Sequence, residues 1–171
     1  SLHRDGVNLF RAQGQGHSWE AEAFLAGILE RVEEITAFLN PLPQSYARLG
    51  CCEAPGYLSW SHQNRSQLIR IPAAAGPYAR MELRSPDPAC NPYLAFALLL
   101  RAGAEGVRER KPLCPPCDCN LYTAPAEVLQ GVRPLPQDLD AAVRAARESA
   151  FVREVLPQGL IRHLLESRQP G

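Results

Sequence analysis

Leu25, Ile28, Val32, Ile35 and Leu39 recur at steps of three and four, with acids and Arg31 between them. That spacing lays one apolar stripe along a helix. Ser18 is placed to cap its start, and Pro41 and Pro43 predict its end at Asn40. The stretch from Ser1 to Ser18, with Gly6, Gly14 and Gly16, reads as loop, and so does Asn40 to Gly56, with its prolines and Gly50. Three short alternating runs follow: Tyr57 to Ser61, Gln67 to Ile71, and Arg80 to Arg84. Alternation of this kind predicts strands, with Pro72 to Pro77 as the turn between the last two.

Pro86 and Pro88 interrupt the chain before a second helix. Asn91 suits its N-cap and Pro92 its first position, and it is expected to run to about Arg110. Leu94 to Leu100 is apolar all round, which predicts a central, buried helix. Lys111 to Asn120 is a Pro/Cys-rich loop, and three short helices are expected near Ala126–Leu129, Asp138–Ala150 and Gly159–Ser167. No internal repeat is present. Strands in the middle with helices around them define an α+β class, with short antiparallel strands.

The 171 residues suffice for one domain with its own core, and 46% apolar content argues against disorder. Zero formal net charge gives no support to nucleic acid or a membrane surface as partner. The longest apolar run is far short of the roughly 20 residues of a membrane span. The sequence opens at Ser1 without a Met, so a cut from a longer protein is expected, with further function upstream. Cys51, Cys52, Cys90, Cys114, Cys117 and Cys119 are expected to be free thiols in a cytoplasmic protein. Cys114-Pro-Pro-Cys117 with Cys119 lacks the second close ligand pair of a structural zinc site and reads as plain loop. His3, His17, His62 and His163 show no ligand spacing and read as structural or solvent-facing.

Of the 18 basic residues 17 are Arg, leaving Lys111 as the single lysine. Five of them, Arg48, Arg65, Arg70, Arg80 and Arg84, fall in one short region. On a strand, Arg80, Glu82 and Arg84 share one face while Met81 and Leu83 share the other; Arg70 likewise lies opposite Ile69 and Ile71. An apolar back and an arginine-rich front suit a sheet that holds an anion, since guanidinium forks match carboxylates and phosphates. A solvated face laced with Arg–Glu pairs fits the same pattern.

The motifs along this region resemble those of the glutamine synthetase family. Asn40-Pro41, Ser45-Tyr46 and Arg48-Leu49 are similar to one of its segments, and Glu53-Ala54-Pro55 is similar to its mobile glutamate flap. Asn64-Arg65-Ser66 and Ile69-Arg70-Ile71-Pro72 resemble its nucleotide- and substrate-binding segment. Glu82-Leu83-Arg84-Ser85-Pro86-Asp87-Pro88 and Asn91-Pro92-Tyr93-Leu94 resemble its metal-ligand strand and the following helix, and Asn120-Leu121-Tyr122 its later triplet. The matches run in order along nearly the whole chain.

The resemblance implies ATP-dependent ligation of ammonia to glutamate through a γ-glutamyl phosphate, with ATP and Mg²⁺ or Mn²⁺ as cofactors. It implies Glu82 as a metal ligand, and Arg48 and Arg84 as groups holding glutamate or its acyl phosphate. It places Arg65 at the junction of ATP and glutamate, Arg70 and Arg80 near the ATP phosphates, and Ser1 close to the nucleotide. It makes Glu53 the group that closes the site and takes a proton from bound ammonium; Glu53, Arg48 and Arg65 are thus the implied catalytic set. Tyr122 falls where some members carry a regulatory nucleotide. A double-ring homo-oligomer is implied for the whole protein.

The sequence also departs from the family. Its histidine-rich stretch and its other carboxylate ligands would precede Ser1. The segment from Arg48 to Glu53 is one residue short, and Pro77-Tyr78 stands where a nucleotide-contacting lysine is common. A ligase joining glutamate to a larger amine, or a non-catalytic assembly protein of the same family, stays open beside glutamine synthesis.

Overall fold

The computed structural model of the chain describes residues 1–11, 17–51, 53–74 and 76–166. The expectations placed on Gly14, Gly16, Cys52 and Ser167 lie outside these residues. In chain order the elements are β1 (His3–Arg4), β2 (Val7–Asn8), α1 (Trp19–Leu39), α2 (Pro43–Ala47), β3 (Trp60–His62), β4 (Ile69–Ile71), β5 (Glu82–Leu83), α3 (Pro92–Glu109), α4 (Ala126–Gln130), α5 (Leu139–Glu148), α6 (Ala150–Val155) and α7 (Gln158–Glu166). The class is α+β, as expected.

The first helix starts and stops where its caps dictate. Ser18 Oγ accepts from the Ala21 amide at 3.1 Å, and the Asn40 amide closes the last turn on Thr36. Fourteen of its 21 residues are buried, because α3 packs along one side and α5 along another. The central helix is therefore α1 and not α3. In α3 only Ala95, Leu98, Ala102, Gly103, Glu105 and Gly106 are buried, while Tyr93 and Phe96 are 84% and 63% exposed. Its all-round apolarity reflects one face on α1 and a second apolar face open to solvent.

The contact between α1 and α3 depends on glycine. A Cβ on Gly106 would stand 2.0 Å from the Ala23 carbonyl oxygen, and one on Gly27 2.2 Å from that of Ala102. Only bare backbone lets the two axes come this close.

Several local expectations are corrected. Residues 40–56 contain α2, because Pro43 occupies a first helical turn, where its missing N–H is no loss, and Ser45 Oγ accepts from the Leu42 amide. The first loop contains an antiparallel hairpin, β1–β2, turning at Asp5-Gly6 with φ of 50° and 79°; Asp-Gly supplies the left-handed pair that such a turn requires. Among the described residues four helices follow residue 120 instead of three. Ser149 separates α5 from α6 by leaving helical geometry and capping α6 through the Val152 amide at 3.0 Å.

The strands are shorter than the alternation predicts. β4 and β5 are antiparallel, but β3 and β4 run parallel. Three residues span only about 10 Å, so residues 63–68 can return the chain to the same end of the sheet. Arg80 falls outside β5. Asn8 Nδ2 donates to the carbonyls of Pro77 at 3.0 Å and Ala79 at 2.7 Å, and this holds residues 77–79 against β2, away from β4.

Among the described residues no helix is long and apolar enough to cross a membrane. The open face of α3, with Tyr93, Phe96 and Leu100, has the character of an association surface. The 171-residue chain on its own is expected to self-associate at micromolar concentration, read by sedimentation velocity. A single monomeric boundary at every concentration would contradict this.

Candidate functional site

The site begins at the antiparallel pair of β4 and β5, where Arg70 is registered against Glu82 and Ile69 against Leu83. Ile69 and Ile71 point into the core at 1% and 7% exposure. The opposite face carries the charges, as alternation requires. Arg70 Nη1 donates to Glu82 Oε2 at 2.7 Å, and Arg84 Nη1 donates to Glu82 Oε1 at 2.8 Å. Each carboxylate oxygen thus faces its own guanidinium. Partial burial works against ionisation of Glu82, but the Arg70 hydrogen bond and the charges of Arg84 and Arg70 outweigh it and lower its pKa. Glu82 is a carboxylate at neutral pH, and the arginines extend that state to lower pH.

Arg84 is the hub. Besides Glu82, its Nε donates to the Arg65 carbonyl at 3.0 Å and its Nη2 to the Glu53 carbonyl at 2.8 Å. Its side chain is only 9% exposed, whereas those of Arg65 and Glu53 are 61% and 67% exposed. A buried fork thus presents two exposed, opposite charges. Arg65 Nη1 lies 3.5 Å from Glu53 Oε1, and Arg84 Nη2 lies 3.9 Å from Glu53 Oε2.

Glu53 reaches this position through a tight loop. Gly50 has φ of 86°, Glu53 itself has φ of 60°, and the Gly50 amide donates to the Ala54 carbonyl at 2.8 Å. A left-handed conformation at a glutamate is uncommon and marks a position fixed by its surroundings. The Glu53 carboxylate lies beside Arg65 and Arg84.

Arg65 sits on a turn held from behind. Asn64 Nδ2 and Gln67 Nε2 both donate to the Cys119 carbonyl at 2.8 Å, and the Leu121 amide donates to Ser66 Oγ at 2.9 Å. The Tyr122 hydroxyl donates to the Arg65 carbonyl at 3.3 Å. Burial raises the Tyr122 phenol pKa, and Glu53 adds to this while Arg84 opposes it. The sequence pattern does not foretell that Tyr122, Asn64 and Gln67 support Arg65. For Tyr122 and Asn64 the one signal is their place in the family-like motifs; Gln67 carries none.

The other expected residues stand apart from this group. Arg48 donates through Nε to Asp87 at 3.3 Å and through Nη2 to Asn40 Oδ1 at 2.7 Å and to the Ser85 carbonyl. It clamps the end of α1 to the segment after β5. The Ala89 amide lowers the Asp87 pKa against partial burial, aided by Ser45 and Arg48. Arg80 is exposed and forms none of the ion pairs found among the described residues, and Ser1 lies near it.

Anionic phosphates fit the exposed guanidiniums Arg65 and Arg80. A divalent cation fits less well. Mg²⁺ takes six oxygen ligands, about two from carboxylates. Among the described residues no group of three or more His, Cys, Asp or Glu side chains could hold a metal ion. Glu82 is one suitable donor; it does not make a site alone.

Comparison with known proteins bears on the whole chain. Residues 1–170 match the family model described as glutamine synthetase, catalytic domain. The glutamine synthetase of Methanosarcina mazei is 44% identical over 174 residues, covering 99% of this chain and 39% of that protein. That of Thermus thermophilus is 40% identical, with the same coverage of 99% and 39%. The chain spans about two fifths of the length of the curated relatives it matches. A solved structure described as a GmaS/ADP complex superposes with a TM-score of 0.81 at 31% identity, covering 94% of this chain and 38% of that one.

Proposed function

We propose that this chain, which belongs to the glutamine synthetase family, forms the arginine-rich part of a site that ligates ammonia to glutamate at the expense of ATP. The observation that carries the reading is the buried Arg84 fork, which gathers Arg65, Glu53 and Glu82 into one cluster. Phosphoryl transfer to the γ-carboxylate needs charge neutralisation and positioning above all. Arg65 and Arg84 supply positive charge for the carboxylate and the acyl phosphate, and Arg70 and Arg80 supply it for the phosphates of ATP. Ser1 is assigned to the nucleotide side and Arg48 to the glutamate side. Glu82 contributes one oxygen ligand to Mg²⁺ or Mn²⁺ in the complete protein.

Glu53 then has a distinct task. Its carboxylate is exposed and paired only loosely with Arg65 and Arg84. It can attract ammonium, take its proton and leave a nucleophile at the acyl phosphate. The complete protein is expected to work as a homo-oligomer.

The experiment is ADP release by the full-length protein with glutamate and, in turn, ammonia, methylamine and hydroxylamine. Glutamate-dependent turnover with ammonia preferred is expected. Preference for methylamine would favour a larger-amine ligase, and no turnover would favour an assembly protein. Glu53→Gln keeps the size but loses the charge and the base. It should depress the ammonia reaction by about a hundredfold, the usual contribution of general base catalysis. Hydroxylamine, neutral at pH 7, should recover part of that loss. Equal losses with both nucleophiles would mean that Glu53 only shapes its loop.

A further inference from the structure

We propose that Cys117 and Cys119 form an oxidisable dithiol whose closure by a small-molecule disulfide loosens the turn that carries Arg65. Their sulfurs lie 3.2 Å apart. The geometry has a cause in the chain. Asp118, between them, accepts from Ser61 Oγ at 2.9 Å, and the Cys117 amide donates to the Trp60 carbonyl at 2.8 Å. The chain bends at Cys119, directly after this anchor, and the two thiols meet. Both are half-buried, while Cys114 and Cys51 are exposed. A disulfide requires the sulfurs to close to about 2.05 Å, a movement that the backbone of residues 117–119 must absorb.

That backbone is the support of the Arg65 turn. The Cys119 carbonyl receives both Asn64 and Gln67, and the Cys114 carbonyl receives the Trp60 indole N–H at 2.8 Å. Drawing the sulfurs together pulls on the carbonyl that holds Asn64 and Gln67 on either side of Arg65. The thiol pair and the turn are thus one hydrogen-bonded unit.

The exchange balances without any further reactant. Cys117 gives up its proton to solvent, and its sulfur attacks first as thiolate. It forms Cys117–S–S–R and releases RS⁻. Cys119 then loses its proton, its sulfur attacks that of Cys117, and the second RS⁻ leaves. Two protein thiols are oxidised, and one disulfide is reduced to two thiols. Transient disulfides of this type are the ones that occur in reducing compartments.

The thiol chemistry stands whatever reaction the protein catalyses; only its effect on turnover rests on the role proposed for Arg65. The test therefore reads mass and hydrogen exchange, not activity, on the full chain in a background with Cys51, Cys52, Cys90 and Cys114 replaced by Ser. With oxidised glutathione as probe, the expected product has lost two hydrogens, assigned to Cys117–Cys119 by fragmentation and restored by dithiothreitol. Adding Cys117→Ser or Cys119→Ser should instead leave a single glutathione adduct at the remaining thiol. Amide exchange over residues 60–67 should rise about tenfold on closure, as local opening becomes easier, and stay unchanged in both serine variants. Stable glutathione adducts on Cys117 or Cys119 without ring closure would overturn the dithiol. Closure with unchanged exchange over residues 60–67 would overturn the coupling to Arg65.

Discussion

Replacing Arg84 by Ala in the complete protein should lower kcat/KM for glutamate by about a hundredfold. Charge-assisted hydrogen bonds are worth about 1.5–3 kcal/mol each, and about 2.7 kcal/mol corresponds to a factor of a hundred in rate. Arg84 holds three partners at once: the Arg65 carbonyl, the Glu53 carbonyl and the Glu82 carboxylate. Its loss therefore loosens the flap glutamate and the neighbouring arginine together. Arg84→Lys should recover little, since one ammonium cannot serve partners set for a planar fork. Met81 lies on the opposite face, half-buried against the core. Met81→Ala should lower stability by about 2 kcal/mol and leave the turnover of the folded protein intact. If Arg84→Ala lowered the melting temperature but spared kcat/KM, the charged face would be a structural ion-pair network.

The second large effect concerns the fold. Gly106→Ala places a methyl group 2.0 Å from the Ala23 carbonyl oxygen and 2.8 Å from the Gly27 nitrogen. Both are backbone atoms of α1, so no side-chain rotation can relieve the clash. Alanine gains about 1 kcal/mol of helix propensity over glycine, but overpacking costs typically 1–3 kcal/mol and occasionally more. Here α1 and α3 must separate, and a net loss of about 3 kcal/mol is expected. For a domain of this size that lowers Tm by roughly 10 °C. Gly159→Ala in α7, where a Cβ meets nothing within 4 Å, should leave Tm unchanged or raise it. Thermal unfolding followed by circular dichroism checks both, and equal melting of the two variants would contradict the close α1–α3 packing.

How much of the fold is legible in the sequence follows the reach of each signal. The ends of α1 and α3 are written locally, in Ser18, Asn91 and Pro92, and the helices start where these residues place them. The charged face of β4 and β5 is equally legible, because alternation acts between neighbours in the chain. The burial of α3 is not. Apolarity says that a face can be covered, while its coverage depends on which element packs there, and α1 takes only one side. Pro43 and Ser149 read as a breaker and an ordinary helical residue, yet one starts α2 and the other splits α5 from α6. Their effect depends on position within the turn.

The site shows the same division. Strand periodicity alone groups Arg70, Glu82 and Arg84. Glu53, Arg65 and Tyr122 come together only through the family resemblance, because their contacts bridge loops far apart in sequence. Alternation wrongly joins Arg80 to β5, since Asn8, some seventy residues earlier, decides where that strand begins.

The central claim is that the cluster around Arg84 serves a γ-glutamyl phosphate, and oxygen transfer from glutamate tests it most directly. In that reaction a γ-carboxylate oxygen attacks the terminal phosphorus of ATP, and ammonia then expels phosphate with that oxygen attached. The full-length protein, given glutamate labelled with ¹⁸O in the γ-carboxylate, should release one labelled oxygen in each phosphate formed, together with ADP and glutamine. Phosphate free of label while glutamine accumulates would contradict the account.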